Sequence, residues 1–163
     1  MITLEQIITA MAAELLADTA LAAWITATYG TAHPTWTLHV QVGEDGANPP
    51  DAASGPVVVI TPEFRGCTLG EDVATHAYRV NVDWLVEDCG IDISTTGLRV
   101  YEGTYHVDQL GQLIYAALLG ISESVTLSQA EYGIDAALTW PLCVGGMTVT
   151  LDVPNIIGAE VAL

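Results

Sequence analysis

The segment from His76 to Asp88, HAYRVNVDWLVED, alternates apolar and polar residues over its central part, residues 78–87. The apolar positions, at every second residue, are Tyr78, Val80, Val82, Trp84 and Val86. The positions between and after them are Arg79, Asn81, Asp83 and Glu87, with Leu85 as the one apolar residue among them. Alternation with a period of two predicts a β-strand with one face in the core and the other in water. Such a strand is typical of an antiparallel or mixed sheet that is covered on one side.

The sequence before this strand predicts two further strands. The residues from Trp36 to Val42 also alternate, and Val57 to Ile60 form an unbroken apolar run that predicts cover on both faces and an end at Pro62. Residues 65–74, RGCTLGEDVA, predict the loop of a long hairpin. Because the segment from Gly43 to Ser54 is rich in glycine and proline and lacks apolar anchors, we expect an exposed, mobile connector.

A long helix is predicted at the N-terminus. Thr3 and Gln6 have the spacing of a capping box, in which a threonine side chain caps the helix and a glutamine reaches back. Apolar residues then recur at intervals of three and four, at Leu4, Ile8, Met11 and Leu15. We expect one continuous helix over residues 3–28, with Gly30 as its stop.

A second helix is predicted over about residues 104–119. Its buried stripe consists of Val107, Leu110, Leu113, Ile114, Ala117 and Leu118, and Gly120 follows it. Gly111 inside the helix costs about 1 kcal/mol relative to alanine, which indicates either close packing or a misplaced boundary.

The remaining sequence, about residues 124–153, predicts more strands. Val125 and Leu127 fit one strand, residues 138–144 a second and residues 147–153 a third. Gly145-Gly146 has the composition of a two-residue hairpin turn, and Pro141 predicts an edge strand or a bulge. The expected fold class is therefore α+β. One domain, residues 1–163, contains an antiparallel or mixed sheet with strands at about 36–88 and 124–153, the long N-terminal helix and a second helix packed on it.

The charge balance limits the partners of the chain. It has 20 acidic residues, three arginines and no lysine, which gives a formal net charge of -17. Direct binding to a nucleic-acid backbone needs clustered cations, so this composition argues against it. Three cysteines without a C-x-x-C pair predict no disulfide framework. Acids interrupt the N-terminal apolar run, so we expect no signal peptide, no membrane span and synthesis in the cytoplasm.

We find no catalytic constellation in the sequence, and expect no catalytic, cofactor-binding or metal-binding residues. A metal site built from His39, His76 and a cysteine is conceivable if their strands are neighbours, but a strand histidine more often faces solvent or a neighbouring residue. Adjacent acids such as Glu87 and Asp88 point to opposite faces of a strand, so they do not form a catalytic pair. There is no lysine to act as a Schiff base or to bind phosphate.

The order of elements, together with four local patterns, resembles the tail terminator and tail-completion proteins of long-tailed bacteriophages. The patterns are VGEDGANPPD (42–51), GPVVVITP (55–62), YRVNVDWLV (78–86) and YAALLG (115–120). The similarity extends from about residue 4 to residue 153. It implies an α+β subunit of a hexameric ring that caps the tail tube, fixes its length and offers a docking face for the head. The family has no catalytic residues to transfer.

The resemblance also implies partners and a location. The partners would be further copies of the chain, tail-tube proteins and head–tail connector proteins, and the location the tail or neck of a virion. DNA would pass through the ring without specific binding. Candidates for the subunit interface are Arg79 and Asp83 on the polar face of their strand, and a group in the acidic proline-rich loop. That loop group consists of Asp45, Asn48, Pro49, Pro50 and Asp51.

Other functions stay open at this point. A head–tail connector, a tail-tube subunit or a minor tail subunit shares the same fold type. An unfamiliar small soluble enzyme would be indicated by a stoichiometric metal or a retained ligand. An acidic binding module from a halophile would be indicated by folding that depends on molar salt.

Overall fold

The computed structural model describes residues 3–43, 52–69, 73–88, 90–121, 126–135 and 141–156. Three α-helices are found there: α1 (Leu4–Ala17), α2 (Thr19–Tyr29) and α3 (Glu102–Leu118). The strands are β1 (His39–Val42), β2 (Val57–Leu69), β3 (Val73–Glu87), β4 (Ile91–Asp92), β5 (Val100–Tyr101), β6 (Thr126–Asp135) and β7 (Leu142–Ile156). This arrangement confirms the α+β class.

Five of the strands form one mixed sheet in the order β1-β2-β3-β7-β6. β1 pairs with β2 in parallel, and the other three pairings are antiparallel. The predicted hairpin of β2 and β3 is confirmed, although both strands extend far into the segment that was expected to be loop. β4 and β5 form a separate two-stranded ribbon between β3 and α3.

The core lies between the three helices and one face of the sheet. The alternating residues of β3 that were predicted to be buried, from Tyr78 to Val86, are all 0% exposed. They pack against the buried residues of β7 and against the apolar faces of α1, α2 and α3. Together these contacts form the main hydrophobic core, and burial of this apolar surface is the chief source of stability.

The N-terminal helical segment is bent, which corrects the prediction of one continuous helix. The capping box at Thr3 is present, but α1 ends at Ala17. The Asp18 side chain accepts a hydrogen bond of 2.7 Å from the backbone N–H of Leu21 and so caps the start of α2. The two helix axes differ by 49°. On both sides of this break, apolar residues belong to the same hydrophobic core.

Two predicted interruptions of the strands, a strand end at Pro62 and a turn at Gly145-Gly146, are wrong. Pro62 does not end β2, which continues to Leu69 across an irregularity in register between Pro62 and Phe64. Gly145 and Gly146 lie inside β7, opposite Trp84 and Asp83 of β3. A Cβ atom at Gly145 would lie 2.5–2.6 Å from the Trp84 indole, so glycine is required there for close approach rather than for a turn.

The opposite face of the sheet carries a small second cluster. Val57 and Val59 pack there with Leu85, Leu142 and Ala52, so cover on both faces of residues 57–60 is confirmed. Ala52 begins a short 3-10 helix, Ala52–Ser54, and is buried. The end of the predicted connector therefore has an apolar anchor, contrary to expectation. The rest of that connector, residues 44–51, lies outside the described residues.

No single helix among the described residues has the length and apolar character needed to cross a membrane, whereas α1 and α2 taken together pass that test as a bent pair.

Candidate functional site

The most distinctive polar feature of the described residues is a buried carboxylate at the end of β3. Asp88 is 7% exposed. It follows the buried parity of β3, so its side chain enters the core while that of Glu87 is exposed. The adjacent acids thus face opposite sides, as predicted.

Three groups donate hydrogen bonds to this carboxylate. His106 Nδ1 lies 2.6 Å from Asp88 Oδ2, and the Tyr29 hydroxyl lies 3.3 Å from the same oxygen. The backbone N–H of Gly90 lies 2.8 Å from Oδ1. Sequence reasoning missed this set, which joins residues 59 and 18 positions apart in the chain. The alternation of β3 could have predicted that Asp88 is buried, because Asp88 follows Val86 on the apolar face of that strand.

The titration of this group follows from its partners. The hydrogen bond from His106 lowers the pKa of the Asp88 carboxyl, helped by the Gly90 N–H and the Tyr29 hydroxyl and opposed by burial. Burial, followed by the nearby Asp88 charge, raises the pKa of Tyr29 far above its ordinary value. Asp88 is therefore held as a carboxylate and Tyr29 as a neutral hydrogen-bond donor at neutral pH.

Aromatic rings surround the carboxylate. Tyr29 makes edge contacts with Trp24 and His106, and Trp36 packs on Tyr29 with 5.1 Å between ring centroids. His33 stacks on Trp36 with 3.9 Å between ring centroids. These contacts join α2, the segment before β1 and α3 around a single buried charge.

The arrangement is suited to holding elements together. An aspartate that orients an imidazole is also part of hydrolytic sites, but those sites need a nucleophile next to the imidazole. Among the described residues, no serine or threonine hydroxyl forms a hydrogen bond with His106, and the buried Cys143 thiol lies close to Tyr29 in the same part of the core. The network instead ties the end of β3 to α2 and to the first turns of α3. Through Gly90 it also fixes the base of the β4–β5 ribbon, where the Glu102 N–H bonds to the Gly90 carbonyl.

The metal site considered from the sequence does not form. His39 pairs with Val57 at the start of β2, whereas His76 lies opposite Cys67 near the end of that strand. Within the described parts of the chain, no group of three or more histidine, cysteine or acidic residues is placed to hold a metal ion.

The interface candidates are placed in two regions. Arg79 and Asp83 lie on the outer face of β3, where Arg79 Nε forms an ion pair of 3.1 Å with Glu63 of β2. Both side chains of this pair are well exposed, at 47% and 40%. Arg79 also lines a small polar pocket with Gln129, Glu131, Thr148 and Thr150. The five loop candidates, Asp45, Asn48, Pro49, Pro50 and Asp51, lie outside the described residues.

The fold defines an α+β protein with three helices on one face of a five-stranded mixed sheet. A similar fold occurs in a chain from the structure described as the virion of a native gene transfer agent (GTA) particle, with a TM-score of 0.50 and 15% sequence identity. The similarity covers 90% of this chain and 93% of that chain. No protein-family profile and no curated protein sequence matches the chain.

Proposed function

We propose that the chain is a structural virion protein, a tail terminator-like subunit that assembles into a ring. In this proposal the ring caps the tail tube and joins it to the head, and it has no enzymatic activity. The observation that carries it is the fold shared, over nine-tenths of both chains, with a chain of a gene transfer agent virion. The order of elements, which resembles phage tail terminators, points to the same kind of particle.

The outer face of the sheet is the surface that we assign to contact with a neighbouring copy. This face carries Arg79 and Asp83. It is polar around Arg79, with Gln129, Thr148 and Thr150 nearby, whereas Asp83 pairs with Val59 of the second apolar cluster. Arg79 keeps an exposed partner, Glu63, which a neighbouring carboxylate can replace at low cost because exposed ion pairs contribute only about 0–1 kcal/mol. A net charge of -17 also suits a channel wall to which DNA does not adhere.

Electron microscopy of the purified protein, with and without isolated phage tail tubes, tests the proposal. We expect six-fold rings, and rings at one end of each tube. A protein that stays monomeric and leaves the tubes bare would contradict the tail terminator role. Binding along the length of the tube would favour a tail-tube subunit, and binding to portal-containing heads alone would favour a head–tail connector.

A further inference from the structure

One segment of the described chain projects from the body. Residues 90–102 leave β3, form the β4–β5 ribbon and return to α3; we call residues 91–101 the arm. Every residue from 91 to 99 is exposed. The apolar members include Ile93, which is 68% exposed, and Leu98, which is 52% exposed. Large aliphatic side chains placed together in water are typical of a contact surface.

The arm is ordered at both ends. Ile91 pairs with Tyr101 and Asp92 with Val100. At the tip, the Leu98 N–H bonds to the Thr95 carbonyl at 3.0 Å, and Gly97 has the positive φ of 81° that this turn needs. The Asp92 carboxylate accepts the Ser94 N–H at 2.8 Å. An arm ordered in this way loses little conformational entropy on docking.

A groove lies open on the surface between α3 and the edge strand β6. The helices cover the core face of β3 and β7, but at β6 the residues Ala130 and Tyr132 of that face remain exposed. They form a groove of about 330 Å³ with Gly111 and Tyr115 of α3 and with Met147 of β7. Asp108 lies at its rim and accepts a hydrogen bond of 2.7 Å from the Tyr132 hydroxyl.

One cation of the arm can meet an acid of the groove, although the arm also carries Asp92 near its base. Arg99, one of three cations in the chain, lies on the arm and is exposed. Within the described residues it forms no ion pair. Asp108 places a carboxylate beside the apolar groove. Two copies with a net charge of -17 repel each other over most orientations, whereas the arm against the groove brings an arginine to a carboxylate.

We propose that the arm of one subunit docks in the α3–β6 groove of the next copy, with Ile93 and Leu98 on the apolar floor and Arg99 beside Asp108. The arm and the groove are different surfaces of one chain, and the arm is not seated in its own groove. The contact is therefore head-to-tail, the type that closes into a ring when the rotation between subunits permits. The inference rests on the proposed ring and adds an apolar contact to the polar one assigned above to the outer face of the sheet. Because an exposed ion pair contributes little net free energy, the polar contact alone is not expected to hold the ring together.

The test uses two variants that leave the core intact. Ile93→Ser/Leu98→Ser removes the tip of the arm, and Ala130→Trp fills the groove from an exposed position. Leu16→Ser is the matched control, because Leu16 is 61% exposed on α1 and belongs to neither the arm nor the groove lining. Each lost arm side chain should weaken the association constant about tenfold to a hundredfold. By sedimentation velocity we expect both variants to be monomers when alone and the control to assemble as the wild type does.

Mixing the two variants separates this contact from any symmetric one. The groove of the arm variant and the arm of the groove variant are both intact, so the mixture should form a one-to-one dimer that does not grow further. Rings formed by both variants alone would overturn the arm–groove contact and leave the proposed function standing. A mixture that stays monomeric would also overturn it. A wild-type protein that never assembles would overturn the proposed ring together with this contact.

Discussion

Replacing Asp88 removes the acceptor on which three elements converge. In Asp88→Ala, His106, Tyr29 and the Gly90 N–H all lose the partner that they have in the folded protein. Each buried polar group left without a partner costs about 1–3 kcal/mol, and water reaches the half-buried His106 and Gly90 more readily than the buried Tyr29. We therefore expect a loss of about 3 kcal/mol in the free energy of unfolding. For a chain of this size that corresponds to a fall of about 6–12 °C in melting temperature.

The pH dependence of the same group has a definite sign. Since the pKa of Asp88 is lowered in the folded state, its contribution to stability is complete above the ordinary aspartate pKa of about 3.9. That contribution is lost as the pH falls through the lowered folded-state value. Asp88→Asn should thus be less stable than the wild type at pH 7, and the gap should narrow below about pH 4.

Thermal unfolding followed by circular dichroism measures both effects, with Glu87→Gln as the matched control on the exposed side of the same strand. Hydrogen exchange adds a local measurement, because the Gly90 amide loses its acceptor and should exchange faster in Asp88→Ala. A melting temperature of Asp88→Ala within about 2 °C of the wild type would contradict a structural role for this carboxylate. A stability difference between the wild type and Asp88→Asn that stays constant through acid pH would contradict the lowered pKa.

Two further substitutions test other parts of the structure. Gly145→Ala should destabilise the protein by about 1–3 kcal/mol because its Cβ would meet the fully buried Trp84. Gly133→Ala, on neighbouring β6 with open space around its Cβ, should be neutral or slightly stabilising. Urea titration measures the stability of both variants, and equal effects at the two sites would contradict the packing argument. Arg79→Ala should leave the melting temperature of the monomer within about 2 °C, since the pair with Glu63 is exposed, but should weaken assembly in sedimentation. Glu63→Gln is its control, and normal assembly of Arg79→Ala would exclude Arg79 from the interface.

Local periodicity predicted the parts of the fold that depend on local sequence. The parity of β3, the capping box at Thr3 and the stripe of α3 all follow from residue spacing, and the close packing suggested by Gly111 is present against Trp84 and Tyr132. The break at Asp18 was missed because the apolar pattern continues across it, although an aspartate is a common helix cap. Gly145-Gly146 was assigned to a turn because turn chemistry is local, whereas the Trp84 ring that needs the space is more than 60 residues away in sequence.

The candidate site was less accessible to sequence reasoning. Asp88 could have been placed in the core by its parity, but its partners come from α2 and α3, and their meeting depends on how the helices pack. The groove beside β6 could not be predicted either, because it depends on how α3 packs next to that edge strand. Both features result from tertiary contacts, which no single-sequence pattern reports.

The position of β7 has a consequence for synthesis of the protein. β7 is the last strand of the described chain, yet it lies between β3 and β6 and pairs with both along most of its length. A nascent chain that has reached β6 cannot place that strand in the sheet, because the neighbour between β6 and β3 has not yet been made. Folding of the sheet is therefore expected to finish only after residue 156 has left the ribosome. Prematurely terminated chains would lack both the groove wall at Met147 and the partner of β6, and so would be excluded from assembly by their failure to fold.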